Sequence, residues 1–417
     1  MKRIIGKVLF STVILLFARP SAAQRHEIHD LQVSSLQVVA GDDWLSMPVI
    51  PLNQGIPVRI GFDVFGHAYR RLAFRVEHCE ADWSVSKELF ESDFVEGFAS
   101  GSLIEETEQS INTNTLYTHY RLELPNEQCR IKLSGNYKVT VYDDDNGGKP
   151  LLTACFMVVE PQMNVSIGVT SNTDIDINRS HQQVSMQLDY AGLRVTNPST
   201  QIKTVVLQNG RWDNARINVP PQYVLPNGLK WEHNRQYIFE AGNEFRRFEV
   251  LDPTHPTLGV DHIEWDGVDY NVFLFPDEPR PNYLYDEDTN GSFYIRNSDN
   301  IENDRLTDYV LVHFLIPGVP KTDGEVYING TWTNNRFLPR YRMTYDETQK
   351  SYRATIKLKQ GYYSYQYLLV TPDGKAVPMP SEGSFFQTEN TYQALVYYRE
   401  PGDRTDRLVG YSQVQFR

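Results

Sequence analysis

Apolar side chains alternate with polar or small ones in short runs along most of the chain. The clearest runs are Val58–Val64, Leu72–Val76, Tyr137–Val141 and Tyr352–Leu358. A period of two places successive side chains on opposite faces of an extended strand, so each run predicts a strand with one buried and one wetted face. Sheets of this kind pack face to face in β-sandwiches. The pattern therefore predicts an all-β protein.

Turn signals separate these runs. They are Asp145-Asn146-Gly147-Gly148, Asp266-Gly267, Asn290-Gly291, Asn329-Gly330 and Asp373-Gly374. Asn, Asp and Gly supply the positive φ that tight hairpins need, so we expect hairpins at these positions. Helical signals are few, and the best is Ser84–Phe94, where Ser84 or Ser86 is a candidate N-cap.

Turn and linker signals divide the chain into three units, each of the size of a β-sandwich domain. The predicted units are residues 24–160, residues 161–277 and residues 308–417, and the Pro-, Asp- and Asn-rich residues 278–307 predict a linker. Each unit has room for about seven strands, as in an immunoglobulin-like sandwich. We therefore expect three tandem immunoglobulin-like or early-set β-sandwich domains.

The N-terminus has the pattern of a secretory signal peptide. Lys2, Arg3 and Lys7 give it positive charge, an apolar run follows at residues 8–17, and Ser21 and Ala23 are the small residues before a cut at Gln24. The apolar run is too short to span a bilayer. Residues 1–23 are therefore predicted to be a signal peptide, and the mature protein to be exported without inserting into the membrane.

Charge narrows the range of partners. The chain has 40 basic and 53 acidic residues. Because residues 1–23 hold four basic residues and no acidic ones, the mature chain has a net charge of −17. A strongly acidic chain is a poor match for nucleic acid or anionic lipid, so neither is expected as a partner.

Three cysteines, Cys79, Cys129 and Cys155, remain in the exported part. One disulfide is an open alternative in an oxidising compartment, with no pairing favoured. The other alternative is that Cys79 and Cys155, both in strand-like runs, are small buried apolar residues. We expect no metal site from this set.

Seven segments of the mature chain carry a family resemblance. In order, they are Glu77–Trp83, Asn112–Tyr142, Ala241–Phe248, Asp288–Gly291, Leu358–Tyr365, Gln387–Tyr392, and Val396–Arg399 followed by Asp403–Tyr411. Together they resemble the type IX secretion system plug proteins. The resemblance implies a periplasmic protein, peripherally associated with the outer membrane, whose partner is the translocon barrel. It further implies that the protein seals the barrel while no cargo is engaged, by protein–protein contact and without catalysis. A wide barrel leaves an aqueous lumen unless something covers or fills it.

The C-terminal unit also resembles the early-set sandwiches of glycogen-binding modules, through Glu325–Asn335, Met343–Asp346 and Gly361–Tyr367. That resemblance makes Trp332 a candidate sugar platform and Asn334 its polar partner. The alternative is that Trp332 simply packs at a sheet edge. Exposed aromatic residues are also the expected anchors of a protein interface, which makes Trp332, Tyr362, Tyr363 and Tyr365 candidate contacts with a partner.

Catalytic constellations are not evident in the sequence. It contains no Gly-x-Ser-x-Gly, Walker loop, dinucleotide fingerprint or His-Glu-x-x-His motif. His78 and Cys79 are neighbours on a predicted strand and point to opposite faces, so they are not expected to form a nucleophile pair. His119 is expected to be a hydrogen-bonded core or edge histidine.

Asp286, Asp288 and Asn290 match the start of a calcium loop, but Asn297 stands where the bidentate Glu is needed.

The sequence therefore predicts no catalytic, cofactor-binding or metal-binding residues. A plug is the favoured function. A periplasmic glucan-binding accessory protein is the first alternative, with a glucan as the one small molecule considered. A hydrolase on a sandwich scaffold is the second.

Overall fold

The structure is a computed structural model that describes residues 26–417. The predicted signal peptide and its cleavage site at Ala23 and Gln24 lie outside the described residues. β-Strands make up nearly all of the regular secondary structure of residues 26–417, which confirms the predicted all-β class. None of the helices among residues 26–417 has the length and apolar character needed to cross a membrane.

The first domain is a sandwich of two sheets. One sheet has the order β1-β12-β11-β5-β7 with β3 added beside β12, the other has the order β2-β4-β9-β8, and β6 and β10 form a separate pair. The elements are β1 Glu27–Ile28, β2 Val33–Ala40, β3 Val49–Pro51, β4 Val58–Phe65, β5 Leu72–Cys79, α1 Glu91–Phe94, β6 Val95–Gly97, β7 Ser100–Leu103, β8 Glu106–Gln109, β9 Tyr117–Leu124, β10 Cys129–Ile131, β11 Gly135–Asp143 and β12 Lys149–Val159. The alternating residues of β4, β5 and β11 fill the core between the sheets.

Two strands from the end of the sequence complete the second domain. Its first sheet has the order β13-β14-β18-β17 with β19 on β14, and its second has the order β16-β15-β30-β31. The elements are β13 Asn164–Thr170, β14 His181–Asp189, α2 Pro198–Gln201, β15 Ile202–Gln208, β16 Arg211–Ile217, β17 Tyr223–Leu225, β18 Gly228–Trp231, a 3-10 turn at Arg235–Tyr237, β19 Ile238–Glu240, β30 Asn390–Tyr398 and β31 Arg407–Phe416. Tyr392, Val396 and Val409 from the last two strands lie in its core.

The third domain is inserted between β19 and β30. Its sheets have the orders β20-β28-β23, with β25 and β29 also on β28, and β21-β22-β24-β27-β26. The elements are β20 Arg246–Val250, β21 Val260–Trp265, β22 Tyr270–Leu274, β23 Phe293–Ile295, α3 Asn303–Leu306, β24 Tyr309–Ile316, β25 Glu325–Asn329, 3-10 turns at Thr331–Thr333 and Pro339–Tyr341, β26 Thr344–Asp346, β27 Ser351–Lys359, β28 Gly361–Val370 and β29 Ala376–Pro378.

This connectivity corrects the predicted unit boundaries after residue 160. The unit predicted for residues 161–277 lacks two strands of its own sandwich and includes three strands, β20 to β22, that belong to the next one. The predicted unit 308–417 ends with two strands that pair with β15 rather than with its own sheets. The predicted linker 278–307 contains β23, which pairs with β28. Period-two alternation identifies strands but not their partners, so an insertion of this kind leaves no mark on the pattern.

The predicted hairpin turns and the predicted helix are confirmed only in part. Asp145–Gly148, Asp266-Gly267 and Asp373-Gly374 lie between paired strands, as expected. The hairpin expected at Asn329-Gly330 is wrong, because the chain enters a 3-10 turn there. A Cβ at Gly330 would lie 2.5 Å from Nε1 of Trp332, so this glycine is needed for close approach. The helix expected at Ser84–Phe94 is reduced to one turn at Glu91–Phe94.

Candidate functional site: the junction of the three domains

An apolar interface joins the first and second domains. Cys79 and Met157 from the first domain pack with Val205 and Leu395 from the second in one buried cluster. Trp83 and Trp212 meet edge to face within it, with their ring centroids 5.6 Å apart. The alternative that Cys79 and Cys155 are small buried apolar residues is confirmed, and Cys79 and Cys129 carry free thiols.

Buried charges fix the orientation at this same interface. Asp406 of the second domain is almost fully buried and lies 2.7 Å from Lys203 Nζ. It also accepts the backbone N–H of Ala81 in the first domain at 3.0 Å. Burial acts to raise the pKa of Asp406, but its hydrogen bond to Lys203 and the surrounding positive charges hold that pKa below its usual value. Glu80 of the first domain accepts the backbone N–H of Asp406 and pairs with Arg399.

A second buried charge cluster joins the first and third domains. The carboxylate of Asp63 on β4 lies 2.7 Å from Nζ of Lys359 on β27, and both side chains are at most 2% exposed. Asp63 also accepts the hydroxyl of Tyr309 at 2.6 Å and contacts Nδ1 of His119 at 2.7 Å. The ammonium of Lys359 lies 4.0 Å from the ring centre of Tyr117. Both carboxylate oxygens of Asp63 therefore have partners, as a buried carboxylate requires.

A third cluster lies where the chain passes from the second to the third domain. Arg246 contacts Asp277 at 2.8 Å and Glu382 at 2.9 Å, and Arg280 also contacts Glu382. Tyr365 donates its hydroxyl to Asp277 at 2.8 Å. Burial raises the pKa of Asp277 despite the neighbouring Arg246. The two chain connections between these domains are thus clamped together by paired charges.

A cavity of about 330 Å³ lies where all three domains meet. The first domain contributes Trp44 and Met47, the second contributes Trp212 and Gln393, and the third contributes Asn334 together with residues 288–293. The Asn290 Oδ1 and Trp212 Nε1 atoms of this wall are buried without a hydrogen-bond partner. The cavity is bounded by contributions from every domain, so it depends on their relative placement.

The candidate contact residues from the sequence occupy different environments. Trp332, Tyr363 and Tyr365 are buried, at 7%, 2% and 3% exposure. Trp332 donates Nε1–H to the carbonyl of Ser364. Their expected role as exposed platforms or anchors is therefore wrong, because these rings form the core of the third domain.

Asn334 and Tyr362 remain accessible. Asn334 lines the junction cavity. Tyr362 is half-buried and lies edge to face with Trp44 of the first domain, with centroids 6.1 Å apart. The structure thus brings one of the five candidates to the cavity and a second one into contact with Trp44, which lines it.

The remaining sequence candidates have structural partners. His78 is buried and its ring nitrogens contact Ser86 at 2.9 Å and the carbonyl of Ser134 at 3.2 Å. Burial lowers the pKa of His78 to about 4, so the imidazole is neutral. His119 is hydrogen-bonded to Asp63, as predicted.

The acidic turn uses its oxygens within the chain. Asp286 pairs with Arg247, and Asp288 accepts the backbone N–H groups of Phe245 and Asn290. Among residues 26–417, no group of three or more His, Cys, Asp or Glu side chains is arranged to hold a metal ion.

Comparison with known families shows which family the first domain matches. Residues 33–160 match the family described as Type 9 secretion system plug protein 1st domain. The chain belongs to the type 9 secretion system plug family. The match spans nearly the whole of the first sandwich, from the start of β2 to the end of β12.

A solved structure extends the similarity to the whole chain. The crystal structure of a hypothetical protein from Parabacteroides merdae is 40% identical, covers 94% of this chain and 99% of its own, and superposes with a TM-score of 0.91. A structure described as Enterococcal surface protein, partial N-terminal region, is 7% identical and has a TM-score of 0.20. No curated protein matches the chain.

Two of the segments that resemble the plug family contain residues that join the domains. Within Asn112–Tyr142, Asn114 and Tyr117 hydrogen-bond to Asp308, Val268 and Thr307 of the third domain. Within Asp403–Tyr411 lies Asp406, which contacts the first domain. The buried charges at these interfaces were not predicted as functional residues. Glu80, Arg399 and Asp406 lie inside the family-like segments, whereas Asp63 and Lys203 lie outside them.

Proposed function

We propose that this plug-family protein closes the periplasmic mouth of the type IX outer-membrane translocon when no cargo is engaged. It does so by protein–protein contact, without catalysis, as an exported protein attached peripherally to the outer membrane. The observation that carries the proposal is the match of residues 33–160 to the plug family. That family is one of secretion-system plug domains and is not a known enzyme family.

The domain junctions support this role physically. A cover over an aqueous lumen has to keep its shape while it bears on a barrel rim. The interface between the first and second domains combines apolar packing with the Glu80–Arg399 ion pair. Separating the first and third domains would leave Asp63 without Lys359. Motion of the first domain relative to the other two is thus resisted by contacts with each of them.

The exposed apolar residues of the first domain are the proposed anchors. Phe90 and Phe98, on either side of β6, are 73% and 68% exposed. Large aromatic side chains of this kind contribute most to interfaces when a partner covers them. They lie within the part of the chain that matches the plug family, whereas the buried Trp332 cannot serve as an anchor. The glucan-binding alternative built on Trp332 loses its platform for the same reason.

A pull-down tests the proposal. Tagged protein is used to capture partners from detergent-solubilised outer membrane, and the translocon barrel is expected among them. Phe90→Ser/Phe98→Ser should recover less barrel, while Tyr223→Ser/Val224→Ser, which replaces exposed apolar residues of the second domain, should recover the same amount as the parent. Capture of no barrel protein by the parent would refute the plug. Equal capture by both double variants would refute the anchor assignment alone.

A further inference from the structure

The residues that line the junction cavity suit a neutral, hydroxyl-rich ligand. We propose that it binds one or two units of a neutral sugar, held between all three domains. This inference goes beyond the plug function and does not depend on it.

Amide side chains from every domain line the cavity. Gln37 comes from β2, Asn209 and Gln393 come from the second domain, and Asn334 comes from the third. Each amide offers both donors and an acceptor, which matches hydroxyl groups that also donate and accept. Asn209 is held in place by its bonds to Asn390 and to the backbone of Thr391, both at 2.8 Å.

The charge of the wall excludes an anionic ligand. No Lys or Arg side chain is among the described residues that line the cavity. The carboxylate of Asp288 is already engaged by two backbone N–H groups. Burial lowers the pKa of His26 to about 4, so this ring is uncharged. A phosphate or carboxylate ligand would find no cation here.

Apolar surfaces lie beside the amides. Trp44, Trp212, Met47 and Phe293 contribute rings and a thioether to the same wall. A sugar ring has a C–H face that packs on such surfaces while its hydroxyl edge meets the polar groups. Ligand sites commonly combine apolar walls with a few placed polar groups.

Two polar atoms of the wall have no partner in the free chain. Trp212 is 8% exposed, and its Nε1 is an unpaired donor. Asn290 Oδ1 is an unpaired acceptor. Leaving such a group buried without a partner costs about 1–3 kcal/mol. A ligand that forms a hydrogen bond to either group, after a small rotation of that side chain, therefore gains affinity.

The size of the cavity favours a sugar over a peptide. A volume of about 330 Å³ is at the lower end of the range for ligand pockets. It accommodates one or two sugar rings. An extended peptide needs a groove open at both ends for its flanking residues, and it becomes the competing outcome of the test.

The test is ligand-observed saturation-transfer NMR followed by titration of tryptophan fluorescence. The probes are maltose, cellobiose and N,N′-diacetylchitobiose, with trialanine as the peptide probe, on the full mature chain. We expect at least one disaccharide to bind and trialanine not to bind. Binding by none of the disaccharides, or displacement of a disaccharide by trialanine, would overturn the proposal.

Variants locate the site. Trp212→Phe removes the indole N–H but keeps a ring, and Asn334→Gly removes an amide at a position with φ of 55° that glycine tolerates. Each should weaken disaccharide binding about three- to tenfold, the value of one hydrogen bond. Trp265→Phe and Asn53→Gly are the matched controls, because Trp265 and Asn53 are exposed outside the cavity and Asn53 also has positive φ. Unchanged affinity in both cavity variants, with thermal unfolding like that of the parent, would place binding elsewhere and refute the proposal.

Discussion

The buried pair between Asp63 and Lys359 gives the sharpest test of how the domains are held together. Lys359→Met keeps the length and apolar stem of the side chain but removes the ammonium 2.7 Å from the Asp63 carboxylate. Removing one partner of a buried pair typically costs about 3–5 kcal/mol, because the other charge stays buried. Asp63 keeps its contacts with Tyr309 and His119. We therefore expect a loss near the lower end, about 3 kcal/mol.

Urea denaturation followed by tryptophan fluorescence measures this loss from the shift in midpoint and slope. The matched control is Lys357→Met on the same strand, where the ammonium lies 3.2 Å from Asp269 and is 36% exposed. A surface pair of this kind contributes at most about 1 kcal/mol. Equal losses in the two variants would refute the reasoning that burial makes the Asp63 pair matter.

The pH dependence gives an independent check. Burial acts to raise the pKa of Asp63, but Lys359 and the hydrogen bond from His119 outweigh it, so the folded pKa lies below the usual value. Its stabilising contribution is thus complete above the unfolded pKa of about 4 and is lost only below that. Without Lys359, burial dominates and the pKa of Asp63 rises. The deficit of Lys359→Met should therefore shrink as the pH falls from 7 to 5, and a constant deficit would contradict this account.

Three further predictions concern single side chains. Trp332→Ala should destabilise the chain by about 3–5 kcal/mol in the same denaturation assay, because the indole ring is buried in the core. A loss below about 1 kcal/mol would contradict the burial of this ring. Burial raises the pKa of Cys79 to about 12 and that of Cys129 to about 11, so neither thiol should react with a disulfide reagent at pH 8 until the chain unfolds; rapid native labelling would contradict this. Burial raises the pKa of Asp288 to about 7, so the folded state binds the extra proton between about pH 4 and 7 and stability falls as pH rises through that window; the stability of Asp288→Asn relative to the parent should improve from pH 5 to pH 8, and no change would refute the shift.

The strands of this chain were readable from its sequence because each sheet has one buried face. Val58, Ile60 and Phe62 alternate in the sequence and are all fully buried in the first core. The hairpin at Asp266-Gly267 was readable for a similar reason, since Gly267 has a φ of 99°. These features are local, and a local pattern determines them.

The order of the domains was not readable, because strand pairing is not local. Val205 of β15 pairs with Leu395 of β30 across the entire inserted third domain. Both strands carry ordinary apolar patterns that would suit any sandwich. The predicted tandem boundaries assumed that neighbours in sequence pair in space, which is the commoner arrangement but not the one here.

The candidate site was missed for a related reason. Trp332 resembles a sugar platform, but it lies in the 3-10 turn Thr331–Thr333 and its ring packs into the core of the third domain, which the sequence around it does not reveal. Asp63 and Lys359 are 296 positions apart and read as ordinary charged residues until the domains meet. Asn334 was the one candidate that the structure brings to the junction cavity.

We propose that this protein seals the translocon without driving secretion. The most direct measurement is the uptake of a large hydrophilic dye or antibiotic by cells that lack the protein, made together with an assay of secreted cargo. The account predicts a leaky outer membrane with secretion continuing at least in part, and a return to a tight membrane when the protein is restored. A tight membrane with secretion abolished would contradict it and would assign the protein to assembly or drive of the machinery.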